Sequence, residues 1–429
     1  MPESAHIPQP SSFRRALEPY PAISRAFSPY AGEQKCPYEA LAVLRAAAPL
    51  YYCGPLDMWF CTSQEQIVSV LRRADVSSEL RTDDPGFTRS LKALQLYDLW
   101  KGSTVGSIVH RILLFRDEPF HAQIRRFLQP LFSPRAVASL ESAIRTISHE
   151  VLASAFEMDA FDFVDMVAGP IPARVICRVV GLPEAEAGDI RRWGGAIAKL
   201  LDPLITPAEF AEAESAFLHA REHIERHIER STDGDTTTAI GRFQSTDHDI
   251  SLEDFTANAA FLLAAGQETL KSFIANTTLC LLEHPDQLAV LLDDLTRAPA
   301  VVEEGLRYES PIQLVTRTAR AQLALGGEGL FAGETVACML GAGNRDGAGR
   351  NAPEAFQVER SEDAANLAFG LGAHHCIGAG LARLEARVVL ECLGSHLRTR
   401  GLIVEDASWV SSISIRCLER LPVRVVARP

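Results

Sequence analysis

The sequence predicts a mainly α-helical fold with a minor β portion, built as one large domain. Three observations predict it. Apolar residues recur at helical spacing from Asp117 to about residue 309, and β-like runs are confined to stretches near 50–61, 312–340 and the tail. The 429 residues are 47% hydrophobic and 23% charged, which is ordinary globular composition and enough to close a large core without disulfide staples. An irregular, proline-punctuated arm is expected over 1–40, followed by a single folding unit over 41–429.

Leu50-Tyr51-Tyr52 and Met58-Trp59-Phe60 read as strands about a Gly54-Pro55 turn. Thr62 and Ser63 offer an N-cap to a helix striped by Ile67, Val68, Val70 and Leu71. Residues 77–110 read as a long irregular segment. Helices are expected over about 120–131, 135–155, 171–181, 185–200, 207–231, 252–282, 285–293 and 299–309, with an exposed polar loop from Ser231 to Asp249. Strand-like pieces follow over 312–340, among them Gly333-Glu334-Thr335-Val336. A glycine-rich stretch, 369–380, precedes a helix to about 397. The tail, 402–428, reads as a hairpin whose runs are separated by Leu418-Glu419-Arg420-Leu421-Pro422.

A net charge of −13 argues against nucleic acid as a bulk partner, because phosphate binding rests on excess Lys and Arg. The polar start, Met1 to Phe13, has neither the basic nor the apolar region of a signal peptide. No apolar run approaches the ~20 residues of a membrane span. The nine cysteines form no CxxC pair, which fits a reducing compartment, so a cytoplasmic protein is expected.

Five clusters carry chemistry. Cys376 lies among glycines in Phe369-Gly370-Leu371-Gly372-Ala373-His374-His375-Cys376-Ile377-Gly378, just before a helix. Free N–H groups and the helix dipole favour a thiolate there, and a lone thiolate suits a haem iron. The bland alternative is a buried structural cysteine. A zinc site of His374, His375 and Cys376 is disfavoured, since three adjacent ligands cannot readily surround a tetrahedral ion. Glu304 and Arg307 share one helical face, as do His121 and Arg125; either pair alone could be a solvated surface feature. Arg317 stands on a strand candidate and alone would read as an exposed strand arginine. Gly266-Gln267-Glu268-Thr269 interrupts an apolar helix, a local violation of the kind that marks function, although Thr269 could simply bond its own helix.

Together these strings resemble the cytochrome P450 family, in that family's order and over roughly 40–428. The resemblance implies haem b bound through Cys376, with Phe369, Gly370, His374 and Gly378 completing the haem-binding signature. It implies propionate contacts from His121, Arg125, Arg317 and His374, and an oxygen-activating helix at Ala265, Gly266, Glu268 and Thr269, where a kink near the glycine opens a groove for dioxygen. Glu304 and Arg307 resemble the ExxR pair, which is buried and joined by a downstream Arg or His; Arg360 is the expected partner. Substrate contacts are implied for 77–110, 185–210, Leu262, Ala265, Leu314, Val315 and Ile413. Departures are Asn366, where bacterial members often have His, and Leu270, Cys417 and Glu118. The implied activity is insertion of one oxygen atom of O2 into a mostly hydrophobic small molecule. No flavin, dinucleotide or Fe–S motif is present, so electrons are expected from a separate ferredoxin and ferredoxin reductase, with Arg125, Arg126 and Arg383 as docking candidates. Two rival readings stay open: a peroxide-driven haem-thiolate enzyme, against which the Glu268-Thr269 pair argues, and a non-catalytic haem-binding protein.

Overall fold

Helices dominate the computed structural model, which describes residues 36–80, 88, 91–92, 96–230, 234–348, 350–360 and 365–427. Helix α1 (Tyr38–Ala47) leads into strands β1 (Leu50–Cys53) and β2 (Met58–Cys61), helix α2 (Gln64–Leu71) and the short β3 (Val76–Ser77). Helices α3 (Tyr97–Gly102), α4 (Thr104–Ile108), α5 (Phe120–Leu128), α6 (Pro134–Ser139) and α7 (Glu141–Phe156) precede β4 (Ala160–Asp162). The helical body continues through α8 (Pro170–Val180), α9 (Ala187–Ala198), α10 (Pro207–Arg230), α11 (Ala239–Ser245), α12 (Leu252–Glu283), α13 (Pro285–Asp293) and α14 (Ala298–Tyr308). Strands β5 (Leu314–Ala319), β6 (Leu323–Leu325), β7 (Glu328–Leu330) and β8 (Thr335–Met339) follow, then α15 (Leu340–Asn344) and α16 (Ala379–Leu397). The last strands are β9 (Arg400–Val404), β10 (Ser408–Trp409), β11 (Leu418–Arg420) and β12 (Pro422–Ala427).

The spine is α12. Ser251 caps it by accepting from Asp254 N at 3.1 Å, and Glu253 and Asp254 place negative charge on its first turn. Its 32 residues span roughly 48 Å at 1.5 Å per residue. It packs against α8, α9, α10, α14 and α16, which buries it along most of its length, polar residues such as Asn258, Gln267 and Asn276 included.

The main sheet has the order β1-β2-β8-β5-β3, with β2 and β8 parallel and the other pairs antiparallel. Successive residues point to opposite faces, and each face has its own core. Met58 and Phe60 pack with Tyr38, Leu41 and Leu314 on one side; Trp59 and Cys61 pack with Ile67, Val70 and Leu330 on the other. Burial on both faces accounts for the unbroken apolar run of β2.

Two buried ionic knots tie the end of α14 to segments distant in the chain. Glu304 and Arg307, 3% and 4% exposed, pair through Arg307 Nε to Glu304 Oε2 at 2.7 Å and Nη2 to Oε1 at 2.8 Å. Arg360 Nε donates to the same carboxylate at 3.0 and 3.1 Å, and the Gln357 N–H at 2.6 Å. Arg307 Nη1 also donates to the carbonyls of Asn344 at 3.2 Å and Pro353 at 2.7 Å. In the second knot the Arg345 guanidinium lies between the rings of Tyr38 and Tyr308, 3.6 and 3.7 Å from their centroids. Glu309 there accepts from Tyr38 Oη at 3.2 Å and from Arg416 Nε at 3.1 Å.

The structure departs from the sequence reading in several places. The described part of 77–110 holds α3 and α4, whose helices are too short for a periodic signal. The expected polar loop holds α11, capped by Thr238, with Ala239 and Ile240 buried; the Ser231–Asp233 part of it lies outside the described residues. The expected spacer of the tail is itself strand: β11 pairs with β10, while β12 pairs with β9 and β4. Helix 135–155 is two helices meeting at Leu140. The first described helix starts at Tyr38, inside the expected arm, of which 1–35 lies outside the described residues.

Arg307→Ala should lower the unfolding free energy by about 3–5 kcal/mol, because it leaves Glu304 buried with only part of its compensation. Chemical denaturation followed by far-UV circular dichroism measures it, and an effect below about 1 kcal/mol would show that the pair is not needed for stability.

Candidate functional site

A cavity of about 430 Å³ opens between α12, β5 and the loop that carries Cys376. The loop is shaped by glycine. Gly370 and Gly372 have φ of 65° and 74°, and a Cβ at Gly372 would lie 2.3 Å from the Leu71 carbonyl oxygen. The Cys376 N–H donates to the Phe369 carbonyl at 3.0 Å, which closes the turn before α16. Upstream, Leu367 N donates to Asn344 Oδ1 at 2.7 Å, so the loop hangs from the same asparagine whose carbonyl accepts from Arg307. Asn366 accepts from the Ala368 N–H at 3.1 Å and donates to the Glu303 carbonyl at 3.1 Å.

Cys376 is accessible, but what it meets is the cavity, since protein surrounds the thiol nearly completely. Burial pushes the thiol up; the Gly378 and Ala379 N–H groups and the charges of Arg125 and Arg383 pull it down without winning. The helix-start geometry alone therefore does not deliver a thiolate. A bound cation would, because a coordinating thiol is deprotonated outright.

A second wall is rich in donors. His121, Arg125, Arg317 and His374 all face the cavity. The rings of His121 and His374 lie 4.2 Å apart. His121 Nδ1 contacts Glu118 Oε1 at 3.1 Å, while its buried Nε2 has no partner among the described residues. Arg317 is 8% exposed and donates to its neighbour's carbonyl, Thr316 O, at 2.7 Å. Burial holds its guanidinium below the ordinary value. The nearby acid, Asp117, is already engaged: it accepts from Ser77 Oγ at 2.5 Å, Ser78 N at 3.0 Å and Arg320. Burial opposes its ionisation, but those donors outweigh burial and hold it low. His374 is pulled down to about 3, first by burial and then by Arg317 and His121, so it is neutral near pH 7. This is a wall with donor capacity to spare.

Helix α12 supplies Leu262, Ala265, Gly266 and Thr269 to the cavity, and β5 supplies Leu314 and Val315. A Cβ on Gly266 would meet Ile176 Cδ1 of α8 at 2.6 Å; the glycine serves a close helix crossing, and α12 runs without a break from Leu252 to Glu283. Thr269 Oγ1 donates to Ala265 O at 2.7 Å. Glu268 does not line the cavity. It is buried beside Gly195 of α9, accepts from Gln267 Nε2 at 2.8 Å, and pairs with Lys271 Nζ at 2.5 Å. Helical geometry explains this: one residue turns the side chain by about 100°. Ile413 also fails to reach the cavity; it packs with Tyr38, Leu41 and Leu314, and Ser414 stands at the wall instead. Of the docking candidates, Arg125 faces the cavity, Arg126 is exposed, and Arg383 pairs with Glu303 and lies over the Phe369 ring.

Two cavity acids escaped the sequence reading. Asp202 accepts from Leu204 N at 2.8 Å and Ile413 N at 3.1 Å, and its signal was an acid inside Leu200-Leu201-Asp202-Pro203-Leu204. Glu385 lies on the apolar face of α16, four residues after Leu381.

The described residues thus offer one thiol, glycines beside it, and a wall of unspent donors, a set that fits an iron porphyrin with two carboxylates. Among the described residues no group of three or more His, Cys, Asp or Glu could hold a metal by itself. Known proteins define the same class. A family model described as Cytochrome P450 matches residues 209–399. The chain is 31% identical to 6-deoxyerythronolide B hydroxylase of Saccharopolyspora erythraea, over 90% of this chain and 96% of that protein. It is 28% identical to the biotin biosynthesis cytochrome P450 of Bacillus subtilis, over 91% of this chain and 96% of that one. The crystal structure of P450BioI in complex with hexadec-9Z-enoic acid ligated acyl carrier protein superposes with a TM-score of 0.82 at 28% identity, covering 90% of this chain and 98% of that chain. The fold and site define a haem-thiolate monooxygenase class; this chain belongs to the cytochrome P450 family. No helix among the described residues is long and apolar enough to cross a membrane.

Gly372→Ala should destabilise the protein by about 1–3 kcal/mol through its backbone conformation, with the Leu71 clash added. Gly380→Ala, where a Cβ meets nothing, should be neutral or stabilising. Thermal unfolding of the pair tests this; equal melting temperatures would show that the loop's left-handed turn is not under strain.

Proposed function

We propose that the chain binds haem b through Cys376 and inserts one oxygen atom of O2 into a mostly apolar small organic substrate, by hydroxylation or epoxidation. The observation that carries this reading is that Cys376 and the donors of His121, Arg125, Arg317 and His374 face one cavity. Bound there, the haem supplies the oxygen chemistry, and the thiolate's electron donation favours O–O cleavage.

The protein's own part is positioning and proton handling. His121 Nε2 and Arg317 would hold the two propionates, whose burial would otherwise be costly. Phe369, Gly370 and Gly378 line the cavity beside the thiol and would stand against the macrocycle. Leu262, Ala265, Leu314 and Val315 hold an apolar substrate and keep water from it. Thr269 presents a hydroxyl whose hydrogen is spent on Ala265 O, which leaves its lone pairs to accept a proton donor. Electrons come from a ferredoxin and its reductase in the cytoplasm, with the exposed Arg126, on the helix of Arg125, as one docking cation.

Purified protein should be red, and its reduced CO complex should show the red-shifted Soret band of thiolate ligation. Cys376→Ala should lose that band; a surviving band would move the ligand to another cysteine. Thr269→Ala should keep haem and still oxidise NAD(P)H with a competent redox chain, but should release more of the electrons as peroxide. Peroxide yield per NAD(P)H equal to wild type would restrict Thr269 to bonding its own helix, and full activity with H2O2 alone would favour the peroxide-driven reading.

A further inference from the structure

Asp202 ends the short turn Lys199–Leu201 and lines the cavity together with Leu200, Leu201 and Pro203. The connection it stands on is stapled to the tail. Ser412 Oγ and the Ile413 N–H, the latter at 3.1 Å, donate to Asp202 Oδ2, and Ser414 Oγ donates to the Leu201 carbonyl at 2.7 Å. The Gln313 N–H donates to Ser414 O at 2.8 Å, so the staple meets the chain just before β5 begins at Leu314. Arg317 of the donor wall lies four residues beyond Gln313, roughly 13 Å along an extended strand. The acid and the donor wall thus belong to different ends of β5, with Leu314 and Val315 lining the cavity between them.

The carboxylate is short of a counter-charge. Its partners are neutral donors: Leu204 N on Oδ1 at 2.8 Å, and Ser412 and Ile413 on Oδ2. No ion pair reaches it among the described residues; Lys199, three residues before it, pairs with Glu212, and Arg416 of the tail pairs with Glu309. Burial pushes the carboxyl up, against those donors. A charge taken from water without an opposite charge is unfavourable. The staple itself needs only an acceptor, which a neutral asparagine would also provide. Each carboxylate oxygen has two lone pairs, and Oδ1 spends one of its two on Leu204.

We propose that Asp202 binds a cationic nitrogen of the substrate, so that the preferred substrate is an apolar molecule carrying a protonated amine. The inference deepens the monooxygenase reading above and rests on it. Phe261, Leu262, Leu314 and Val315 take the apolar body, and the amine N–H donates to the open side of Oδ1. The ammonium supplies the charge that this end of the cavity lacks, while the donors at the other end of β5 are committed to the propionates. Selectivity follows from the same arrangement. An alcohol of equal length leaves the buried carboxylate without its counter-charge, and a fatty carboxylate brings a like charge against it.

The test uses the haem-loaded wild type, Asp202→Asn and Ser412→Ala, with three probes that share one dodecyl chain: N,N-dimethyldodecylamine, which is protonated at pH 7, dodecanol and dodecanoate. Calorimetry gives the dissociation constants, and the Soret band of the ferric protein shows whether the amine has ligated the iron instead. The wild type should bind the amine about tenfold or more tighter than either other probe, with no sign of nitrogen ligation. Asp202→Asn should bind the amine and dodecanol alike, with dodecanol unchanged from wild type. Ser412→Ala loosens the staple but keeps the carboxylate, and should keep the preference. The red-shifted CO band, read on all three proteins, reports separately on the haem-thiolate assignment. Four results would each overturn the proposal while leaving that assignment standing: no preference for the amine in the wild type, nitrogen ligation by the amine, a preference that survives in Asp202→Asn, or equal weakening of all three probes in that variant, which would restrict Asp202 to holding the staple.

Discussion

The carboxylate of Glu304 is the point from which the site hangs. It is buried, and it is met by Arg307, Arg360 and the Gln357 N–H. An uncompensated charge at that depth would be costly, so these partners are fixed in place together. Arg307 then orders the carbonyls of Asn344 and Pro353, and Asn344 fixes Leu367, two residues before the cysteine loop begins at Phe369. A helix, an irregular stretch and a loop with little regular structure of its own are thus placed relative to one another by one anion.

The cavity is the inverse case, a place where compensation within the protein is left incomplete. Asp117 is saturated by Ser77, Ser78 and Arg320, and contributes little to balancing Arg317. His121 keeps a buried nitrogen without a partner among the described residues. Such arrangements are rare in finished cores because they cost stability. Here His121 and Arg317 face the same cavity, which suits a site for an anionic group.

Residues whose type is dictated by local chemistry were legible from the sequence. Glycines at Gly370 and Gly372 encode left-handed turns, and Glu304 with Arg307 encodes a same-face pair. Even Arg360, separated from Glu304 by a long stretch of chain, could be named from the motif and lies within 3.0 Å of its carboxylate. What escaped depends on which way a helix face turns. Glu268 and Thr269 are adjacent in the chain and lie in different environments, and Ile413 and Ser414 divide likewise between core and cavity. The short α3, α4 and α11 escaped because a few residues hold too little periodicity to outweigh their polar neighbours. Glu385 was visible as an acid on an apolar stripe, but nothing in the motif distinguished it from the flanking Arg383 and Arg387.

The knot around Arg345 has a consequence for how the chain is made. Tyr38, Tyr308, Glu309 and Arg416 come from the first described helix, the end of α14 and the stretch between β10 and β11. The sheets repeat the theme: β2 pairs with β8, and β4 waits for β12. Contacts of such sequence separation form slowly, because a long loop must close before they contribute. During synthesis on the ribosome, the early strands therefore emerge long before their partners, with apolar faces open. The helices from α7 to α12 can associate as they appear, but the main sheet cannot close until β8 has left the exit tunnel, and the sheet of β4, β9 and β12 cannot close until the tail has. Premature release or slow translation near the tail should leave unpaired strand edges and apolar faces exposed, in an aggregation-prone intermediate.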